Sequence, residues 1–308
     1  MLDNKINVCL ACDDNYARYA GVVIASILKS SDNDDQLSFY ILDGGITGSN
    51  KNLLLSLKSI KECEINFIEI KEELFDDYKK VKTHSYITLA TYYRLKLPTL
   101  LPNVERVIYF DCDFVVTSSL KELFNADLEG HPIAGVHDIK QKAVEKNPTY
   151  VNAGMLVLDI NKIRDQGLEQ KFLEWTKANI ATITCGDQEI INEVCKGDIQ
   201  ILEDSWNVQS SNFTNRSSYT KHPKCIHFVA KKKPWHFASY SYHRKLYFKF
   251  LQYTPWALNK KDLFYWTTFN QLASILSYIK YRPFFMFRPK FYKALYYTYI
   301  RPMYKGDY

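Results

Sequence analysis

Two carboxylates separated by a single residue, Asp111 and Asp113, follow directly on the apolar run Arg106-Val-Ile-Tyr-Phe110. Just past the end of a buried strand, that spacing lets both side chains approach one cation from a tight turn. Hard oxygen donors suit Mg²⁺ or Mn²⁺, and such ions usually complete their shell with substrate phosphates. A cation held there would neutralise a diphosphate as it leaves. Two acids after a strand are also common as a plain solvated turn; the apolar strand that delivers them favours the chemical reading. A second polar group, Asp13-Asp14-Asn15-Tyr16, follows another apolar run at 6–11. A carboxylate and a carboxamide there can pair with N–H and O–H groups of a ligand, or can cap the helix that follows.

The elements that must position these residues are legible as alternating patterns. Runs rich in apolar and β-branched residues at 6–11, 37–42, 65–70 and 104–110 read as strands, and 21–28, 50–60 and 87–97 as intervening helices. Such alternation predicts a largely parallel sheet covered on both faces, because parallel neighbours need crossover connections. Ligands then bind beyond the carboxyl ends of the strands, which places both polar groups on one rim. A second half adds strands at 132–137, 150–159 and 225–229 and one long helix at 160–179; from about 240 the chain becomes helical and aromatic. No repeat or low-complexity linker interrupts it, so the expected organisation is a catalytic domain over 1–240 and a helical extension over 241–308.

The 308 residues, 46% hydrophobic and 24% charged, suffice for a sizeable core. The net charge of +6 is unevenly placed: 278–308 carries seven Lys or Arg against one acid, leaving 33 basic and 33 acidic residues in 1–277. Twelve aromatics, among them Phe284, Phe285, Phe287, Phe291, Tyr296 and Tyr297, interleave with those tail charges. That combination suits a helix lying in the headgroup layer of an anionic membrane, or a surface that covers the domain; the neutral body argues against nucleic acid. No signal peptide or membrane span is evident, so a cytoplasmic protein is expected. Its seven cysteines then read as free thiols. Cys9 and Cys12 sit three apart on a strand and so face opposite sides. The glycosylation patterns at Asn212 and Asn215 read as chance.

Asp111-Cys-Asp113-Phe-Val115 also fits the nucleophile motif of haloacid-dehalogenase-like phosphatases, for which Glu203-Asp204 could supply the acidic pair. That reading, like a non-catalytic basic membrane-binding protein, leaves other motifs unexplained. Ala11-Cys-Asp-Asp-Asn-Tyr16, Leu42-Asp-Gly-Gly-Ile46, Thr91-Tyr-Tyr-Arg-Leu-Lys-Leu97, Tyr109-Phe-Asp-Cys-Asp113, Asn152-Ala-Gly154, Gly186-Asp-Gln-Glu189, and His227 with Lys233-Pro-Trp-His236 occur in that order. Together they resemble retaining glycosyltransferase family 8, most nearly its bacterial lipopolysaccharide galactosyl- and glucosyltransferases, over about three quarters of the chain.

The resemblance implies an α/β GT-A fold with a mixed central sheet, and Mn²⁺-dependent transfer of galactose or glucose from a UDP-sugar to a saccharide or glycolipid acceptor. Mg²⁺ is the alternative ion. It implies metal ligands Asp111, Asp113 and His227, and donor contacts at Asp13, Asn15, Arg94, Asp138, Asn152 and Lys233. Gln188 and Asp187 would lie at the reacting carbon. An amide is a poor nucleophile, so front-face displacement is favoured over a covalent intermediate. The chain departs from the family in having Ala230 where glycine is common and the bulkier stretch 90–93 before the arginine; His84 and Tyr86 compete for one donor-loop position.

Overall fold

The computed structural model of the protein describes residues 5–81, 88–139, 141–210, 222–229, 231, 233–236, 239, 243–269, 276, 279–280, 283–289 and 291–292. The expectations at His84 and Tyr86, Ala230, the two glycosylation patterns, and Tyr296 and Tyr297 lie outside these residues.

The chain opens with β1 (Lys5–Cys12), α1 (Ala17–Ser30), β2 (Gln36–Asp43), α2 (Gly48–Leu55) and β3 (Glu64–Glu69), whose strands pair in parallel. A 3-10 helix (Leu89–Lys96) and the short α3 (Leu97–Leu100) lead to β4 (Arg106–Phe110), β5 (Phe114–Val116), α4 (Lys121–Phe124), β6 (Ile133–His137), α5 (Gln141–Lys146) and β7 (Val151–Asp159). Then come α6 (Ile160–Asp165), α7 (Leu168–Asn179), α8 (Asp187–Val194), β8 (Ile199–Ile201), β9 (Val208–Gln209), β10 (Cys225–His227), α9 (Arg244–Leu251) and α10 (Lys260–Phe264).

Seven strands form one sheet in the order β3-β2-β1-β4-β7-β6-β8, and β5, β10 and β9 form a second. In the large sheet β7 runs against β4 and β6 while the other pairs are parallel, so the sheet is mixed. Its strands read as near-continuous apolar runs because both faces are covered. In β1, Val8, Leu10 and Cys12 enter a cluster with α1, whereas Cys9 enters the cluster on the opposite face with Tyr93, Leu97 and Phe172. The C-x-x-C is therefore split across the sheet, and all seven cysteines are free thiols. Helix α1 is bound by Val22, Val23, Ile24, Ile27 and Leu28, all buried, each contributing about 1.5–3 kcal/mol.

Two expectations require correction. The long helix over 160–179 is two helices, because Gly167 adopts φ +62° between them, a left-handed conformation that glycine accepts at little cost and that an α-helix cannot pass through. The helix placed at 87–97 is a 3-10 helix over Leu89–Lys96, and Leu97 opens α3. Helix α9 is buried on the domain: Leu246, Tyr247, Phe250 and Leu251 join Val22 of α1, Val115 of β5 and Ile226 of β10.

Candidate active site

The reversal of β7 builds the site. Because β7 runs against β4, its first residues lie beside the carboxyl end of β4, and the amide of Asp111 donates to the carbonyl of Gly154 at 2.8 Å. Past Asp113 the chain enters β5, which pairs antiparallel with β10 so that Phe114 opposes His227. The imidazole stacks on the Phe114 ring with centroids 4.2 Å apart, and its Nε2 lies 3.2 Å from Asp113 Oδ1. Asp111, Asp113 and His227 thereby offer ligand atoms that all fall within 4.8 Å of one another. His227 Nδ1 is buried with no hydrogen-bond partner. Two hard carboxylates and one imidazole suit Mn²⁺ or Mg²⁺.

Lys233 closes the far side. Its Nζ lies 2.5 Å from Asp113 Oδ2 and donates to the carbonyl of Phe228 at 2.8 Å. Burial works to push the Asp113 carboxyl up, but Lys233 and His227 outweigh it and hold it well below the usual carboxylate range. These neighbours favour the charged form of the carboxylate.

Gly154 explains the Asn-Ala-Gly motif. A Cβ at this position would fall 2.4 Å from His227 Cε1 and 3.0 Å from each ring nitrogen, so any side chain displaces the imidazole. Gly154→Ala is expected to weaken Mn²⁺ affinity about tenfold to a hundredfold, the usual range when a ligand loses its orientation. Titrating Mn²⁺ against activity checks this, and an unchanged half-saturating concentration would contradict it.

Arg94 is buried rather than solvated. From the 3-10 helix its Nη2 pairs with Asp111 Oδ1 at 2.6 Å and its Nε with Asp187 Oδ2 at 3.0 Å; Nη1 donates to the carbonyl of Ala153, and the guanidinium lies 4.1 Å from the centroid of the Tyr109 ring. One side chain therefore joins the end of β4, the start of α8 and the start of β7. Burial, its largest influence, pushes Asp187 up to about 7 although Arg94 pulls the other way.

Beside this group lies a network of amides. Asp138 Oδ2 accepts from Asn152 Nδ2 at 3.3 Å and from Gln188 Nε2 at 3.0 Å, and Gln188 Oε1 accepts from the amide of Ala153 at 3.2 Å. A carboxylate only accepts, so Asp138 dictates which way the Gln188 amide points. Two further residues, absent from the sequence reading, complete the scaffold. Asn207 donates to Asn152 Oδ1 at 3.1 Å. Asn192 ties α8 to β7, donating to the Val151 carbonyl at 2.9 Å and accepting its amide at 2.7 Å. Asn192 follows Gln188 by one helical turn, a same-face signal that was available; Asn207, in a 3-10 turn, carries none.

On the β1 side, Asp13 Oδ1 accepts from the amide of Tyr16 at 2.9 Å, and Asn15 is exposed. Asp13 thus does fasten the turn before α1, leaving Oδ2 outside that bond. Asp14 clips this turn to α2 by accepting from the amide of Thr47 at 2.8 Å and from Asn50 Nδ2 at 2.7 Å. Burial, and next the Asp113 carboxylate, pushes the Tyr16 phenol up to about 12. Glu203, required near Asp111 by the phosphatase reading, is exposed and pairs instead with Lys224 at 3.5 Å.

The profile of glycosyl transferase family 8 matches residues 7–239. A Haemophilus influenzae protein whose name places it among the glycosyltransferases is 32% identical over 248 residues, covering 75% of this chain and 73% of the relative. The lipopolysaccharide 1,2-glucosyltransferase of Escherichia coli is 26% identical over 275 residues, covering 81% and 79%. Among solved structures, the galactosyltransferase LgtC in complex with donor and acceptor sugar analogues superposes with a TM-score of 0.73 at 23% identity, over 83% of this chain and 98% of that one. The fold is GT-A, with the mixed sheet described above.

Proposed function

Because the chain belongs to glycosyl transferase family 8 and is thereby a glycosyltransferase, we propose that it transfers galactose or glucose, with retention of configuration, from a UDP-sugar to a saccharide acceptor in a Mn²⁺-dependent reaction. The phosphatase and the non-catalytic readings fall with that membership. One observation carries the proposal: Asp111, Asp113 and His227 converge as a ligand set, with the Lys233 ammonium already against Asp113.

When bound, the cation neutralises charge on the departing diphosphate, with Mg²⁺ as the alternative ion. Lys233 exchanges its contact with Asp113 for a phosphate oxygen, acting as a point charge. Asp13 and Asn15 take the uracil and ribose. Arg94 keeps the end of β4 and the start of α8 in register beneath the sugar. Asp138, Asn152 and Gln188 meet the sugar hydroxyls and leave unpaired groups against a wrong epimer. The bond from the anomeric carbon to the phosphate oxygen breaks as the acceptor oxygen bonds on the same face, and the acceptor proton passes to that phosphate oxygen. Gln188 supplies a carbonyl dipole to the positive charge that develops. Asp187 is buried and faces Arg94 at 3.0 Å, a placement that supports front-face displacement over a glycosyl-enzyme.

Release of UDP from UDP-galactose and UDP-glucose, with Mn²⁺ or with EDTA, tests the proposal. Metal-dependent release from one donor supports it and names the sugar; no release from either, with no UDP binding, rejects it.

The acceptor reading is a lipopolysaccharide or other glycolipid, supported by the kinship with the E. coli lipopolysaccharide enzyme. The last residues of the extension, from about 278 to 308, would then hold the enzyme on the cytoplasmic face of the membrane, while α9 stays packed on the domain. Among the described residues no helix is long and apolar enough to cross a membrane, while Phe284 is 80% and Phe287 73% exposed, the disposition an interfacial segment needs. Deleting 281–308 is expected to abolish co-sedimentation with phosphatidylglycerol vesicles and leave donor hydrolysis within about twofold. Unchanged sedimentation would remove the membrane reading.

A further inference from the structure

The turn that carries Lys233 is short and held at several points. The amide of His236 donates to the Lys233 carbonyl at 3.0 Å, and the Lys233 amide donates to His236 Nδ1 at 3.2 Å. Within it, the Trp235 ring stacks on Tyr19 of α1 with centroids 3.9 Å apart and lies 5.0 Å from the ring of Tyr247. Tyr247 belongs to α9, and α9 makes a second attachment. The Arg244 guanidinium, fully buried, donates from Nε to the carbonyl of Pro234 at 2.6 Å. It lies against the rings of Phe248 and Trp266, 5.1 and 5.8 Å from their centroids. The carbonyl it holds belongs to the residue next to Lys233.

Burying an arginine is costly unless its hydrogen bonds are made, and α9 already packs on the domain through Leu246, Tyr247, Phe250 and Leu251. Here the buried donor fixes a backbone carbonyl in a turn that has no regular secondary structure of its own. The turn bears the ammonium on which the donor site depends. We propose that Arg244 of α9, beyond the family-matched residues 7–239, is a positioning residue for the UDP-sugar: it holds the Pro234 carbonyl and so sets Lys233 against the diphosphate, with Tyr247 supporting the same turn through Trp235. This rests on the donor-site reading of Lys233 given above.

The test is UDP binding with Mn²⁺ by calorimetry, together with the donor KM for hydrolysis, in full-length variants whose melting curves show a single folded state. Arg244→Met keeps the apolar stem and removes the donor; it is expected to raise Kd for UDP and the donor KM about tenfold, the worth of one hydrogen bond from a charged group. Arg244→Lys, which keeps a donor, recovers part of that loss. Tyr247→Leu, a second route should Arg244→Met not fold, is expected to weaken UDP about threefold through the loss of one aromatic contact. In a Lys233→Ala background the effect of either change disappears, because both act through Lys233. Folded Arg244 and Tyr247 variants with wild-type UDP affinity would overturn the inference alone, as would an equal loss in the Lys233→Ala background. A Lys233→Ala protein that binds UDP normally would instead overturn the donor-site reading and this inference with it.

Discussion

Replacing Asp113 by asparagine is expected to lower Mn²⁺-dependent release of UDP from a UDP-hexose about a thousandfold, the scale on which one charge-stabilising group is felt at a reacting centre. Asp113 is the hub of the proposed cation site. Its two oxygens face His227 Nε2 at 3.2 Å and Lys233 Nζ at 2.5 Å, and its main-chain carbonyl accepts from the amide of Phe228 at 2.9 Å. Asparagine preserves the shape and the main-chain bond but offers a single neutral oxygen, so the loss falls on charge rather than on fold. Residual activity should no longer respond to Mn²⁺. A variant that keeps a full Mn²⁺ response would mean that Asp113 is not a ligand.

Arg94→Met is expected to cost both activity and stability. The buried guanidinium pairs with Asp111 at 2.6 Å and lies 3.0 Å from Asp187. Removing one partner of a buried ion pair typically costs about 3–5 kcal/mol. The cost here falls at the lower end, because Asp111 is about a third exposed and Asp187, pushed up to about 7 by burial, can take up a proton. For a chain of this size that corresponds to a fall in Tm of roughly 5 °C. Activity should fall at least about a hundredfold, since the end of β4 and the start of α8 lose their common anchor. Arg94→Lys offers little rescue, because one ammonium cannot reproduce the forked contacts to two carboxylates and a carbonyl. Added Mn²⁺ should restore part of the lost Tm by neutralising Asp111 in place of the guanidinium. A thermal melt within 2 °C of wild type, or no recovery with Mn²⁺, would contradict the bridging role.

How much of this was legible in the chain divides along physical lines. The strands that carry Asp111 and Asp13 are apolar on both faces, and such runs announce themselves. The sheet's mixed character at β7 was not in the local pattern, since a strand's direction is decided by its connections. That reversal nevertheless brings Asn152 and Gly154 to the end of β4. Arg94 could be singled out only through the family resemblance, because its burial depends on carboxylates from β4 and α8, each distant in sequence. Gly154 could be recognised only as part of a motif; that it makes room for the His227 ring is a fact about β10. The break at Gly167 was readable, since a glycine between two helical stretches signals a cap as readily as an interior residue. Arg244 gave no signal at all: a basic residue in an aromatic helix reads as surface until the helix is seen against α1.

The same division explains the roles that rest on geometry. Asp13 satisfies the turn before α1 and still presents an oxygen, so its capping and ligand readings were never exclusive. Asp14 received no role from the motifs, yet it joins the first loop to α2 and so fixes the edge on which Asp13 and Asn15 stand.

Asp111, Asp113 and His227 are proposed to hold a divalent cation whose coordination a UDP-sugar diphosphate completes. Calorimetric titration of UDP into the protein, once with Mn²⁺ and once with EDTA, tests this most directly. Binding is expected to be saturable with Mn²⁺ and to weaken at least about a hundredfold in EDTA, because the ion supplies a share of the phosphate ligation. Equal affinity in the two titrations would contradict it.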